Sequence, residues 1–203
     1  MRRLLTLIVL VLTLSVQAQD NMTPNPNNNS SQQHMKFMGL KMGGKLSTFV
    51  NNLKQKGFTT NTNVSNLTST VMTGKFAGVN DCTLMVYPND EGNVYLVGVV
   101  FPSLETWGTL YSNYKTIKDM LIQKYGEPYD CVEEFNTSYP PTDDRDRMHQ
   151  TRMERCKYST TFSLPEGRIV EAITTASMSC YVLLVYADEA AYATNQESAI
   201  DDL

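Results

Sequence analysis

The chain of 203 residues predicts an α+β fold in which two tandem units, each a helix followed by three strands, form one antiparallel sheet with the helices on one face. Two segments carry apolar residues at helical spacing. Each is followed by three runs rich in β-branched and aromatic residues, separated by turn residues. The two helical segments also end in similar phrases. We therefore expect one domain over residues 37–203, built from two similar halves, 37–102 and 103–203.

Residues 1–18 have the layout of a cleavable signal peptide. Two arginines precede an apolar run from Leu4 to Leu14, and small residues stand close to Ala18. The apolar run is about 11 residues long, whereas a membrane-spanning helix needs about 20. We predict cleavage after Ala18, no stable membrane insertion afterwards, and a periplasmic or secreted location.

Residues 19–36 predict a disordered linker. The segment consists mainly of Asn, Gln, Ser and Pro, so it has too little apolar surface to offset the entropy of ordering. A short extended piece at 37–40 follows, and it opens the folded domain.

The first unit begins with a short amphipathic helix over 46–56. Leu46, Phe49, Val50 and Leu53 form one apolar stripe, with Ser47 as a candidate cap. Three strands are expected at about 67–76, 82–87 and 94–101, joined as an antiparallel meander. The third run is apolar at consecutive positions, which favours a central strand covered on both faces.

The second unit begins with a long helix over 104–125, with Ser103 as its candidate cap. Trp107, Tyr111, Tyr114 and Tyr125 lie along one face. This aromatic stripe favours packing against the sheet over a carbohydrate or peptide platform. Three further strands are expected at 156–164, 168–177 and 180–188, followed by a frayed helix in the tail.

Residues 129–155 are the least regular part of the sequence. They contain two consecutive prolines and many charges of both signs. This composition predicts a solvated loop or a short exposed helix with internal ion pairs.

The four cysteines allow three disulfide connectivities in an exported protein. We favour Cys131 with Cys156, because they bracket a polar segment whose ends a cross-link would hold. Cys82 and Cys180 lie in strand-like runs and form either a second bridge or two buried thiols. A zinc site fails on spacing, since no two cysteines lie two to four residues apart.

The two halves suggest a duplication. The helices close on Leu-Lys-Gln-Lys-Gly at 53–57 and on Leu-Ile-Gln-Lys-Tyr-Gly at 121–126. A duplication would join the two meanders into one six-stranded sheet and leave its second face partly free.

A family resemblance rests on turn and packing motifs over most of residues 37–203. These are Gly-Leu-Lys-Met-Gly at 39–43, Gly-Lys-Phe-Ala-Gly at 74–78, Lys-Tyr-Gly-Glu-Pro at 124–128, Tyr-Ala-Asp at 186–188 and Asp-Asp-Leu at 201–203. The chain resembles exported bacterial beta-lactamase-inhibitor-like domains and uncharacterised periplasmic proteins of Bacteroides-like bacteria. The resemblance implies the fold, and no functional residue is carried over from it.

No catalytic, cofactor or metal motif stands out in the sequence. Cys156, His149 and Asp144 are close along the chain, but triads form in space. Acid pairs at 133–134, 143–144 and 201–202 are candidates for a hydrolase. The turn around Gly92 lacks the ligands of a calcium loop. We assign no catalytic residue, cofactor site or metal ligand.

Charge narrows the class of partner. The formal net charge of −4 becomes −6 when the arginines of the leader are removed. This acidic balance argues against binding to nucleic acid or to an anionic membrane. The sequence favours a non-catalytic module that binds a protein or peptide outside the cytoplasm, through a sheet face or through 129–155. The alternatives are an envelope structural component or small-molecule carrier and, with less support, a hydrolase.

Overall fold

The computed structural model describes residues 33–61 and 69–192 of the chain. The described ranges hold ten strands, three helices and a helical turn at 189–192. The elements are β1 (Lys36–Phe37), β2 (Leu40–Lys41), α1 (Leu46–Gln55), β3 (Thr59–Thr60), β4 (Thr70–Phe76), β5 (Val79–Pro88), β6 (Val94–Val100), α2 (Trp107–Tyr125), β7 (Asp130–Phe135), α3 (Asp144–Arg152), β8 (Cys156–Leu164), β9 (Gly167–Ala176) and β10 (Ser179–Asp188). The leader, most of the predicted linker and the tail from 193 lie outside the described residues.

Eight strands form one antiparallel sheet, in the order β3-β4-β5-β6-β10-β9-β8-β7. β6 and β10 pair at its centre, with Val97 opposite Tyr186. The predicted α+β class and antiparallel sheet are confirmed, and both predicted meanders are present. The sheet is wider than the six strands expected, because β3 and β7 add one strand at each edge.

All three helices pack against the same face of the sheet, which we call the helix face. Their buried side chains belong to one core cluster with alternate residues of the strands, such as Leu84, Val97 and Leu184. The aromatic stripe of α2 faces this core, with Trp107 5% exposed and Tyr114 fully buried. The prediction that the stripe packs against the sheet is confirmed.

The opposite side of the sheet, which we call the far face, carries a second apolar cluster. Its members are Val71, Met85, Tyr87, Leu96, Leu183 and Val185. Each is at most 9% exposed. The duplication hypothesis had predicted that this face is partly free. Its centre is instead buried. Burial on both faces also explains why β6 and β10 are apolar at consecutive positions.

The two helices predicted from the sequence, α1 and α2, have N-cap residues other than the expected ones. The N-cap of α2 is Thr106, whose Oγ1 accepts a hydrogen bond from the Thr109 N–H at 3.3 Å. Ser103 cannot cap it, because the Leu104 N–H still donates to the Cys180 carbonyl as in a strand. The N-cap of α1 is Lys45, without a side-chain cap, and Ser47 lies inside the helix.

The region 129–155 is more regular than its composition predicts. It contains strand β7 and helix α3, with an eight-residue connection between them. Asp143 caps α3 by accepting from the Asp146 N–H at 2.8 Å. Met148 and Thr151 are buried against the rest of the domain, so the predicted short helix exists but is only partly exposed.

The favoured disulfide between Cys131 and Cys156 is wrong, since all four cysteines are free, and of the two alternatives for Cys82 and Cys180 the structure has the two buried thiols. In the β7–β8 ladder Cys131 lies opposite Thr160, whereas Cys156 lies opposite Phe135. The two cysteines are thus four positions apart, roughly 13 Å along the strands. A disulfide requires Cα atoms within about 7 Å.

The second predicted pair is separated by an intervening strand. Cys82 lies on β5 and Cys180 on β10, and β6 runs between them. Two strand spacings amount to roughly 10 Å, which again exceeds the reach of a disulfide. With no bridge present, the cysteines no longer support an oxidising compartment.

The N-terminal part of the domain is fixed to the end of β10. The buried Asp188 carboxylate accepts from the Met35 N–H at 2.7 Å and from the Ala191 N–H at 2.8 Å. His34 Nδ1 lies 3.0 Å from the same carboxylate. Met35 is 1% exposed, so packed structure begins inside the segment predicted as linker. None of the described helices is long and apolar enough to cross a membrane.

Candidate functional site

The feature of greatest functional interest is strand β7, which forms one edge of the sheet. The Asn136 N–H donates to the Arg155 carbonyl at 2.7 Å. Successive residues of an antiparallel strand point their N–H and C=O groups to opposite sides. The N–H and C=O groups of Val132 and Glu134 therefore point toward β8, as the N–H of Asn136 does. Those of Cys131, Glu133 and Phe135 point away from the sheet, where the Phe135 carbonyl accepts a hydrogen bond from the Thr137 N–H at 2.9 Å. No strand lies beyond β7 within the ranges that the structure describes.

Exposed tyrosines stand on both sides of this edge strand. Tyr129 precedes β7 and is 63% exposed, and Tyr139 follows it and is 85% exposed. Tyrosine is enriched where proteins contact partners, because it offers a large, rigid side chain with a polar tip. The edge thus combines unpaired backbone groups with contact residues at each end.

Behind the edge, on the helix face, α2 and β7 bring together an amine, a thiol and a carboxylate. Lys118 Nζ lies 2.6 Å from Glu133 Oε1 and 3.2 Å from Cys131 Sγ. Partial burial by itself would lower the pKa of Lys118, but the hydrogen bonds to Glu133 and Cys131 outweigh it and raise that pKa above its ordinary value. The lysine is therefore a cation that donates to the Glu133 carboxylate and to the Cys131 sulfur.

This cluster continues inward along one cross-strand row. Cys131 on β7 lies opposite Thr160 on β8, which lies opposite Glu171 on β9. Thr160 Oγ1 is 3.7 Å from Cys131 Sγ and 2.5 Å from the Tyr114 hydroxyl of α2. Burial raises the pKa of Tyr114 well above its ordinary value.

Glu171 is the most unusual member of the row. It is fully buried, and neither carboxylate oxygen has a hydrogen-bond partner. Burial raises the pKa of Glu171 to about 9, against the opposing effect of Lys118. The side chain is therefore a neutral carboxylic acid at pH 7. An unsatisfied buried acid costs stability and is uncommon in a core.

A separate open groove of about 500 Å³ lies between α2 and the turn joining β4 to β5. Leu104, Val79 and Ile117 supply apolar surface, while Ser112, Asn113 and other polar residues of α2 line the rim. The buried Asn113 Oδ1 has no partner. The groove is lined by no charged side chain, so it suits an uncharged ligand.

The acid pairs considered from the sequence are not brought together for catalysis. Glu133 and Glu134 are neighbours in β7, so their side chains leave opposite faces of the sheet. They bind different lysines, Lys118 and Lys157. Asp143 is used as the cap of α3. The pair at 201–202 lies outside the described residues.

The other residues considered from the sequence, Asp144 and Cys156, also lack the arrangement that catalysis needs. Asp144 pairs with Arg147 at 2.8 Å. Burial raises the pKa of Cys156 to about 12, which disfavours the thiolate that a nucleophile needs. Over 33–61 and 69–192, no group of three or more His, Cys, Asp or Glu residues is placed to hold a metal ion.

Glu171 and Lys118 are the site residues that sequence reasoning missed. One signal was available for Glu171, which is the only charged residue between Ile169 and Ala176 in a run of apolar residues and threonines. Lys118 gave none, because a lysine on a long amphipathic helix is ordinary. The chain matches no known protein-family model, no curated protein and no solved structure.

Proposed function

We propose that the protein is a non-catalytic module that binds an extended segment of a protein or peptide at the free edge of β7. The observation that carries the proposal is the row of outward backbone groups at Cys131 and Glu133, together with the outward N–H of Phe135. An added strand would pair with them and extend the sheet, the mode known as β-strand addition. Natural sheets usually shield such edges, and an uncovered one is a template for pairing.

The charge of β7 indicates the chemistry of the bound segment. Asp130, Glu133 and Glu134 make the strand acidic. Lysines already pair with the last two, so the added segment needs only a modest excess of basic residues. Tyr129 and Tyr139 would contact its ends, which favours a segment longer than the six residues of β7. Opposite charges directly across strands stabilise a pair.

A display library of random linear peptides, panned against the purified protein, tests this proposal. Peptides that bind β7 should lose affinity for a Glu133→Pro variant, because proline removes one outward N–H. The matched control is Glu133→Ala, which also removes the side chain but keeps the N–H. We expect Glu133→Ala to retain binding. Equal loss in both variants, or no loss in either, would contradict strand addition.

The groove beside α2 supports a second candidate, a carrier of a small uncharged molecule. The orphan Asn113 Oδ1 can accept a hydrogen bond from a hydroxyl or amide of such a ligand. Native mass spectrometry of the protein purified from its source would reveal a retained molecule. Its loss in an Asn113→Leu variant that still folds would support this role, and its persistence would contradict it.

We also propose that the domain arose by duplication and acts outside the cytoplasm. Each half supplies four strands of the large sheet and a helix that precedes them, the second half adds α3, and the last strands of the halves, β6 and β10, meet at the centre of the sheet. The mirrored order β3-β4-β5-β6 and β10-β9-β8-β7 supports the duplication. The leader at 1–18 supports export, which N-terminal sequencing of the mature protein would test.

A further inference from the structure

We propose that Lys118 and Cys131 form a site of oxidative modification, in which a peroxide oxidises the Cys131 thiol and the Lys118 amine then bonds directly to the sulfur. The resulting sulfur–nitrogen bridge would join helix α2 to strand β7. This inference is independent of whether β7 binds a peptide, since it rests on the helix-face side of the strand.

The contacts of Cys131 single out the amine as the partner. Sγ lies 3.2 Å from Lys118 Nζ, 3.7 Å from Thr160 Oγ1 and 3.9 Å from Glu133 Oε1. Of these three atoms, only the amine nitrogen forms a durable bond to an oxidised sulfur. Cys131 is also the exposed cysteine of the four, whereas Cys82 and Cys180 are buried. The nearest reactive partner is thus a lysine and not a second thiol.

The buried Glu171 is an independent observation that supports a site around Cys131. Glu171 stands in the same cross-strand row, is fully buried, and has two carboxyl oxygens without partners. The charged and thiol groups that act on it are Lys118, Cys131, Glu133 and Asp119, which all lie on α2 or β7. A buried carboxyl group with two unpartnered oxygens is uncommon in a core, and such perturbed groups concentrate at functional sites.

The proposed chemistry proceeds in two steps. First, the Cys131 sulfur attacks the peroxide, so that an S–O bond forms and the O–O bond breaks. The sulfur loses two electrons to become a sulfenic acid, and the leaving oxygen takes up the thiol proton, so that the peroxide is reduced to water or an alcohol.

In the second step the Lys118 ammonium gives a proton to Glu133 at 2.6 Å, a transfer that costs free energy because the same contact raises the pKa of Lys118, so only the small neutral fraction of the amine reacts. The neutral amine attacks the sulfur, an S–N bond forms, the S–O bond breaks, and the hydroxyl leaves as water with a proton from nitrogen. The net reaction consumes one thiol, one amine and one peroxide, and a reducing thiol can reverse it.

The test treats the folded full chain with hydrogen peroxide and maps its peptides without reduction. The exposed Met120 would also gain oxygen, so the readout is the linked peptide and not the intact mass. We expect one peptide pair joining Lys118 to Cys131, lighter than its components by two hydrogen atoms. Trypsin should no longer cleave after Lys118, and dithiothreitol should restore both peptides.

Two matched variants make the result decisive. Lys118→Arg preserves the positive charge but cannot form the bridge, so its Cys131 should accumulate sulfenic acid that a dimedone probe captures. Lys115→Arg lies one turn away on α2 and should form the bridge as the wild type does. A linked pair in Lys118→Arg, or any wild-type product in which Lys118 and Cys131 are not directly bonded, would overturn the inference. If no bridge forms when the peroxide treatment is carried out on the chain unfolded in urea, the reaction depends on the fold.

Discussion

Replacing Glu171 by Gln should stabilise the protein, and the gain should grow with pH. Glutamine has nearly the same shape as glutamate, so it fills the same buried space beneath α2. It carries no proton to lose, whereas the glutamate must either stay protonated or bring a charge into the core. The substitution therefore isolates the cost of ionising one buried carboxyl.

The size of the effect follows from the pKa. Burial raises the pKa of Glu171 from its ordinary 4.5 to about 9. Between these values the unfolded chain releases the proton and the folded chain keeps it, so the free energy of unfolding falls as pH rises. Each pH unit in this window costs about 1.4 kcal/mol. Relative to the wild type, Glu171→Gln should gain about 1 kcal/mol at pH 5, about 3 kcal/mol at pH 7 and about 5 kcal/mol at pH 8.5.

Urea denaturation of both proteins at these three pH values measures the difference directly. Glu134→Gln is the control, because its side chain is 60% exposed and the change should stay within about 0.5 kcal/mol at every pH. A gain for Glu171→Gln that is the same at pH 5 and pH 8.5 would refute the reasoning. A loss of stability that grows with pH would show that the carboxylate is ionised and paired in the fold.

Three further predictions concern packing and buried hydrogen bonds. Gly167→Ala should lower the free energy of unfolding by at least about 2 kcal/mol, because a Cβ at this positive φ would collide with the Ala187 carbonyl oxygen; thermal melts measure it, and an unchanged melting temperature would contradict it. Asp188→Ala should cost about 2 to 3 kcal/mol in urea denaturation, since it leaves two buried N–H groups without an acceptor, and a cost below 1 kcal/mol would show that these bonds contribute little. Tyr114→Phe should cost about 1 to 2 kcal/mol by losing its bond to Thr160, and a double-mutant cycle with Thr160→Val should show coupling between the two; purely additive losses would argue against the bond.

Local patterns in the sequence determined the elements and the class of fold. The stripe of α2 and the apolar runs of β6 and β10 depend only on residues close together in the chain, so the helix, both strands and the central position of β6 were predicted correctly. The ends of elements were less certain. Ser103 looks like a cap in isolation, but a hydrogen bond from Leu104 to Cys180 holds that segment extended.

The tertiary structure alone decided the edges of the sheet, the state of the cysteines and the candidate site. Strand β7 has three acidic residues among its six and none that is fully buried, because it lies at the edge of the sheet, so it lacks the alternation that marks a half-buried strand. The register of β7 on β8 separates Cys131 from Cys156, and register is a property of two strands that neither sequence shows alone. The same register places Cys131, Thr160 and Glu171 in one row beneath Lys118. Residues far apart in the chain acquire a joint chemistry only when strand pairing and the docking of a helix bring their side chains within a few ångströms of each other.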